Sequence, residues 1–103
     1  MDLSRSDVVR CLAGRDAGAL FFIADSDGVY VSLVDGKHRT LEKPKRKKIR
    51  HVQLVLRPDS PMAEKLRSGE KLLNSELRRE LAAISRNINV STKEVRKTWQ
   101  KTT

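Results

Sequence analysis

Between Lys37 and His51 the chain carries eight cations, Lys37, Arg39, Lys43, Lys45, Arg46, Lys47, Lys48 and Arg50, against the single acid Glu42. No hydrophobic core requires so many charges in so short a run, and the chemistry they are suited to is contact with phosphate. Each phosphate neutralised releases condensed counterions, so affinity falls by roughly 0.7 to 0.9 log units per log unit of salt per contact. His38 and His51 flank the run, and His51 joins the candidate phosphate ligands as a hydrogen-bond donor. The alternative is a solvated face or a localisation-type run. The charge is localised: residues 1–36 hold 3 basic and 6 acidic residues, residues 37–57 hold 9 and 1, and residues 58–103 hold 10 and 6, which together give the net +9. Such a balance attracts polyanions and says nothing of fold.

Recognition of unpaired bases calls for aromatic or guanidinium planes, and the chain offers Phe21, Phe22, Tyr30 and Trp99. Consecutive positions in a strand would put one phenylalanine in the core and free the other, while Tyr30 is the best stacking candidate. Other chemistries find no support. The glycine loop Gly14-Arg15-Asp16-Ala17-Gly18 leads into a strand and lacks the Gly-Lys-Ser/Thr ending of a phosphate loop. One cysteine and two separated histidines make no metal cluster, and no nucleophile–base order or carboxylate pair stands out. Cys11 reads as a buried thiol in an apolar run. The sequence therefore predicts no enzyme, no cofactor and no small-molecule substrate.

The elements that must position these residues are short. In 103 residues, 38% hydrophobic and 34% charged, one domain with a modest core is the expectation. Val8–Leu12, Ala19–Ala24, Val29–Val34, Lys37–Leu41 and His51–Leu56 read as five strands. Asp25-Ser26-Asp27-Gly28 and Asp35-Gly36 supply hairpin turns, and residues 42–48 read as an exposed loop. Strands this short and this closely spaced suggest a small antiparallel barrel. Beyond Arg57-Pro58 the period changes. Ser60-Pro61 is an N-cap followed by a first-turn proline, opening a helix that Gly69 would end. Leu77, Leu81, Ile84 and Ile88 then form one stripe of a second helix that begins near Asn74-Ser75. The capping box Ser91-Thr92-Lys93-Glu94, with Val95 and Trp99, suggests a third. No apolar run reaches the roughly 20 residues of a membrane span, and the first residues lack the order of a secretory signal, so a cytoplasmic, membrane-free protein is expected.

The segment Asp7-Val8-Val9-Arg10-Cys11-Leu12-Ala13-Gly14-Arg15-Asp16-Ala17-Gly18-Ala19-Leu20-Phe21-Phe22-Ile23 resembles the KOW motif, with Gly18 at that motif's hallmark glycine. Val34-Asp35-Gly36-Lys37-His38-Arg39, Pro44-Lys45 and His51-Val52-Gln53-Leu54 continue a likeness to short bacterial KOW-domain RNA-binding proteins. These are grouped with certain archaeal and eukaryotic large-subunit ribosomal proteins, and the likeness covers about residues 6–57. It implies a mainly β fold, a small SH3-like antiparallel barrel over residues 1–57, followed by a helical extension of two or three short helices over residues 58–103. It also implies RNA as the ligand, ribosomal RNA typically, with the large ribosomal subunit as the wider partner. By position, Gly14 and Gly18 shape the loop and Arg15 contacts phosphate. Lys37, Arg39 and the run from Lys43 to Arg50 would form the main RNA surface. The alternative is a protein-interaction module of the transcription or translation machinery, since KOW and SH3-like domains also bind proteins.

Overall fold

A computed structural model describes the backbone of residues 3–102 and the side chains of residues 3–88. Five antiparallel strands, β1 (Val8–Cys11), β2 (Leu20–Ser26), β3 (Tyr30–Val34), β4 (Lys45–Lys48) and β5 (Val52–Leu56), form one sheet in the order β4-β3-β2-β1-β5. Two helices follow, α1 (Pro61–Ser68) and α2 (Asn74–Thr102). The protein is thus a small β-sheet fold with a helical appendage. The strand ladder is open: β4 and β5 are its two edges.

Two expectations about the basic segment fail together. Residues 37–41 do not extend, because an Asp35 carboxylate oxygen accepts the backbone N–H groups of Lys37 and Arg39 at 2.9 and 2.8 Å. The Arg39 carbonyl in turn receives the N–H groups of Asp35 and Gly36, and the chain winds into a compact turn. The strand forms instead at Lys45–Lys48, where a loop was expected, and pairs with β3 in the register Tyr30↔Lys48, Val31↔Lys47, Ser32↔Arg46 and Leu33↔Lys45. An edge strand needs backbone partners more than apolar side chains, and lysine stems can lie along a sheet while their heads stay wet.

Strand alternation fills two cores. Val8, Phe22 and Val34 pack on one face with Met62, Ala63, Leu66, Leu77, Leu81 and Ile84 of the helices. The opposite face buries Val9, Cys11, Phe21, Ile23, Val31, Leu33 and Val52, with no residue of α1 or α2 against it among the described residues and with Leu3, Ala19 and Ile49 packing alongside. The Ile49 N–H donates to the Val29 carbonyl at 2.9 Å and draws the start of β5 toward the start of β3. Phe21 and Phe22 are consequently both buried, at 2% and 0% exposure, and neither is free to stack on a base.

The helices begin and end where their caps dictate. Ser60 Oγ accepts the Ala63 N–H at 3.1 Å, Pro61 occupies the first turn, and Gly69 closes α1 with φ +78°. The stripe Leu77, Leu81, Ile84 and Ile88 meets the sheet, with Leu77 fully buried. The turn at Asp35-Gly36 seats the start of α2: a Cβ on Gly36 would lie 2.2 Å from the Asn74 carbonyl oxygen and 3.0 Å from the Arg78 nitrogen. Asn74 ties the same corner, accepting the Leu41 N–H at 2.8 Å and donating to Glu42 at 2.9 Å. The capping box at Ser91–Glu94 and the Val95/Trp99 pair fall outside the described side chains; the second helix spans Asn74–Thr102 and is not short.

Candidate nucleic-acid interface

The cations of β4 divide by the strand's pleat. Lys45 and Lys47 stand opposite Leu33 and Val31, whose side chains enter the uncovered-face core, and Arg46 and Lys48 stand opposite Ser32 and Tyr30 on the other face. On the first face both lysines are held by the β1–β2 loop. Lys45 Nζ forms an ion pair and hydrogen bond with Asp16, and Lys47 Nζ donates to the Ala13 carbonyl at 2.6 Å. Asp16 also receives Arg39 at 3.6 Å. The Lys45 ammonium, helped by Arg39, holds the Asp16 carboxyl below its ordinary range. The same loop packs so closely that a Cβ on Gly14 would meet Lys47 Nζ at 3.0 Å.

On the second face, Arg46 lies over the Tyr30 ring with its guanidinium carbon 4.0 Å from the centroid, and it reaches Asp27 at 3.5 Å. The pair is diagonal across the β3–β4 ladder, within the reach of long side chains. Asp27 accepts the N–H groups of Tyr30 and Val29 at 2.7 and 2.9 Å, and these bonds, more than the Arg46 charge, lower its pKa. Tyr30 is half-buried and presents a guanidinium-capped ring, so a base would meet the arginine plane before the tyrosine.

The remaining cations are differently placed. Lys37, Lys43 and Arg50 are exposed, and Lys48 is half-buried; none of the four has a side-chain hydrogen bond or ion pair among the described residues. Arg15 is exposed at the tip of the β1–β2 loop, and the Lys45–Asp16 and Lys47–Ala13 ties bring that loop beside β4. His51 is half-buried in the one-turn 3-10 helix Ile49–His51 that carries Arg50, and its carbonyl accepts the Leu12 N–H at 2.9 Å. His38 is exposed. Cys11 is buried, and burial pushes its thiol pKa up against the opposing charges of Lys47 and Lys45, which keeps it protonated and unreactive.

Most of the expected site residues therefore gather along one sheet edge, with Arg15 delivered there from a distant part of the chain, whereas Lys37 stands apart on the Asp35–Arg39 turn beside α2. They do not act alike. Lys45 and Lys47 hold the structure together, while Lys43, Lys48, Arg50 and Arg15 leave their charge unspent. Gly14 and Gly18 stand in the β1–β2 loop at φ +85° and +90°. Asp16 is the counter-ion that sorts these cations, a role that nothing in its sequence neighbourhood signals and that its ion pairs with Lys45 and Arg39 reveal. Arg10 is a further cation beside the loop, its Nη1 donating to the Gly18 carbonyl at 3.0 Å. Alternation along Val8–Cys11 would have placed Arg10 on the face opposite Val9 and Cys11. No family model matches the chain, and no curated protein matches its sequence.

Proposed function

We propose that the protein binds structured RNA, ribosomal RNA foremost, through the β4 edge and its flanking loops, and that it works on the ribosome in the cytoplasm. One observation carries this reading. The outer edge of the sheet is a strand made only of lysine and arginine, flanked by further cations that no acid neutralises among the described residues. Contacts from such an edge go to phosphate and to the shape of the backbone, with Arg46 over Tyr30 as the single guanidinium–aromatic platform for a base among the described residues. The scaffold proposed is an SH3-like barrel of KOW type. A consecutive meander whose last strand returns to the first, a second core buried on the sheet face opposite the helices, and Gly18 at positive φ in the β1–β2 loop all support it.

The test is a triple charge reversal measured by RNA binding at several salt concentrations. Lys43, Lys48 and Arg50 changed together to glutamate should weaken binding by more than tenfold. The log–log salt slope should become shallower by roughly 0.7 to 0.9 for each phosphate contact removed. Unchanged affinity and slope would refute the assignment. A protein-interaction role is favoured by a different feature, the apolar hollow formed by Leu3, Leu12, Ile49, Val52 and Leu54, where Leu12 is 54% exposed. Binding of that kind would survive the triple reversal and depend little on salt.

A further inference from the structure

A second basic site lies away from the β4 edge, in the cleft between the sheet and α2. Its walls are Leu20 of β2 and Leu81 and Ala82 of α2, and its rim carries Arg10 of β1, Lys37 of the Asp35–Arg39 turn and Arg78 of α2. Three cations from three separate elements thus surround an apolar floor, with Asp35 the one acid among the described lining residues. That carboxylate is already engaged by the Lys37 and Arg39 backbone N–H groups. Lys37 and Arg78 are exposed and have no side-chain partner among the described residues. The cavity measures about 340 Å³, at the lower end of the range of roughly 300 to 1,000 Å³ for small-molecule sites.

The cleft is set by packing. Arg10 pairs with Leu20 across the β1–β2 ladder, so both side chains point to the face that α2 covers. Gly36 touching the backbone of Asn74 and Arg78 fixes the helix start, and with it the height of the opposite wall. Gly18 sits in the lining with nothing within 4 Å of a Cβ position, which leaves the mouth open beside Arg10.

We propose that this cleft takes one unpaired nucleotide of the bound RNA, the base lying on Leu20, Leu81 and Ala82 and the phosphate among Arg10, Lys37 and Arg78. The proposal rests on the RNA-binding reading, and it adds a point of single-strand recognition to an otherwise backbone-reading surface. Cations alone would suit any anion. The apolar floor between them matches a ligand that is anionic at one end and flat and weakly polar at the other.

The experiment titrates the full chain, ¹⁵N-labelled, with adenosine and uridine monophosphates and, separately, with inorganic phosphate at matched ionic strength. Saturable shifts of the Gly18, Leu20, Lys37 and Ala82 amides with a nucleotide, several-fold larger than with phosphate, are the expected result. Equal responses to phosphate and nucleotide, or none in the cleft, would overturn it. Ala82→Phe fills the cleft from an exposed helix position and should abolish those shifts. It should also weaken binding of an RNA with a single-nucleotide bulge about tenfold while leaving a fully paired duplex unaffected. Loss of both RNAs on reversal of Lys43, Lys48 and Arg50, with the nucleotide shifts intact, would separate the two sites. Nucleotide shifts with no RNA binding by the wild type would sink the RNA reading and its bulge corollary and leave a free-nucleotide site.

Discussion

Single residues decide what the basic segment can do. Lys47 is spent on the Ala13 carbonyl and Lys45 on Asp16, whereas Arg50 holds its charge free among the described residues. Reversal of Lys45 and Lys47 to glutamate should therefore lower the melting temperature, and reversal of Arg50 should leave it unchanged while weakening RNA binding. Differential scanning calorimetry beside a binding titration separates the two effects. Glycines divide in a similar way. At Gly18 only the backbone conformation objects to a side chain, so Gly18→Val should cost about 1 kcal/mol or more. At Gly36 a Cβ would also strike the Asn74 carbonyl, so Gly36→Val should cost clearly more in urea denaturation. An equal loss at the two positions would mean that α2 does not seat on that turn. The eight cations were legible in the sequence at once. Their division was not, because it depends on Asp16 lying across from Lys45 and on which face of β4 each side chain takes.

Elements were legible wherever local chemistry announced them. Ser60, Pro61 and Gly69 bracket α1 as their types predict, and the stripe from Leu77 to Ile88 places α2. Ser60→Ala should remove the Ala63 N–H bond and cost about 1 kcal/mol, read as a lowered urea midpoint. The basic strand was hidden for the opposite reason. Nothing in Lys45-Arg46-Lys47-Lys48 signals a strand, since its pairing comes from an edge that β3 offers and from a turn that Asp35 closes too early for residues 37–41 to extend. The burial of both Phe21 and Phe22 was likewise out of reach, because alternation shows which faces differ but not that both will be covered.

At the scale of the whole molecule, the helices share a core with the sheet: Val8, Phe22 and Val34 rest on Met62, Ala63, Leu66 and Leu77. A fragment of residues 1–57 would expose that face to water, and it should give the collapsed amide spectrum of an unfolded chain, while the full chain unfolds in one transition. Leu77→Ala should cost about 2 to 5 kcal/mol, as large-to-small changes in a packed core do. Acid should act on the fold as a whole. Asp16, Asp27, Glu42 and Glu76 all have lowered pKa values, from Lys45, the Tyr30 N–H, the Asn74 amide and the Leu73 N–H respectively. A carboxyl with a lower pKa folded than unfolded stabilises the fold above its unfolded pKa, and that stability is lost as pH falls through the folded value. Urea midpoints should thus hold steady through neutral pH and decline below about pH 4. No helix among the described residues is long and apolar enough to cross a membrane.

The unpaired outer edge of β4 has a bearing on crowding. An open strand edge is a template on which a second molecule can add its own strand, and proteins that leave one bare invite fibres. Here two copies meeting edge to edge would align Lys45, Arg46, Lys47 and Lys48 against the same four residues, and like charges set opposite one another oppose pairing. A strand of four cations is by those charges closed to its own kind, so the molecule keeps an exposed edge and remains protected along it from stacking into aggregates.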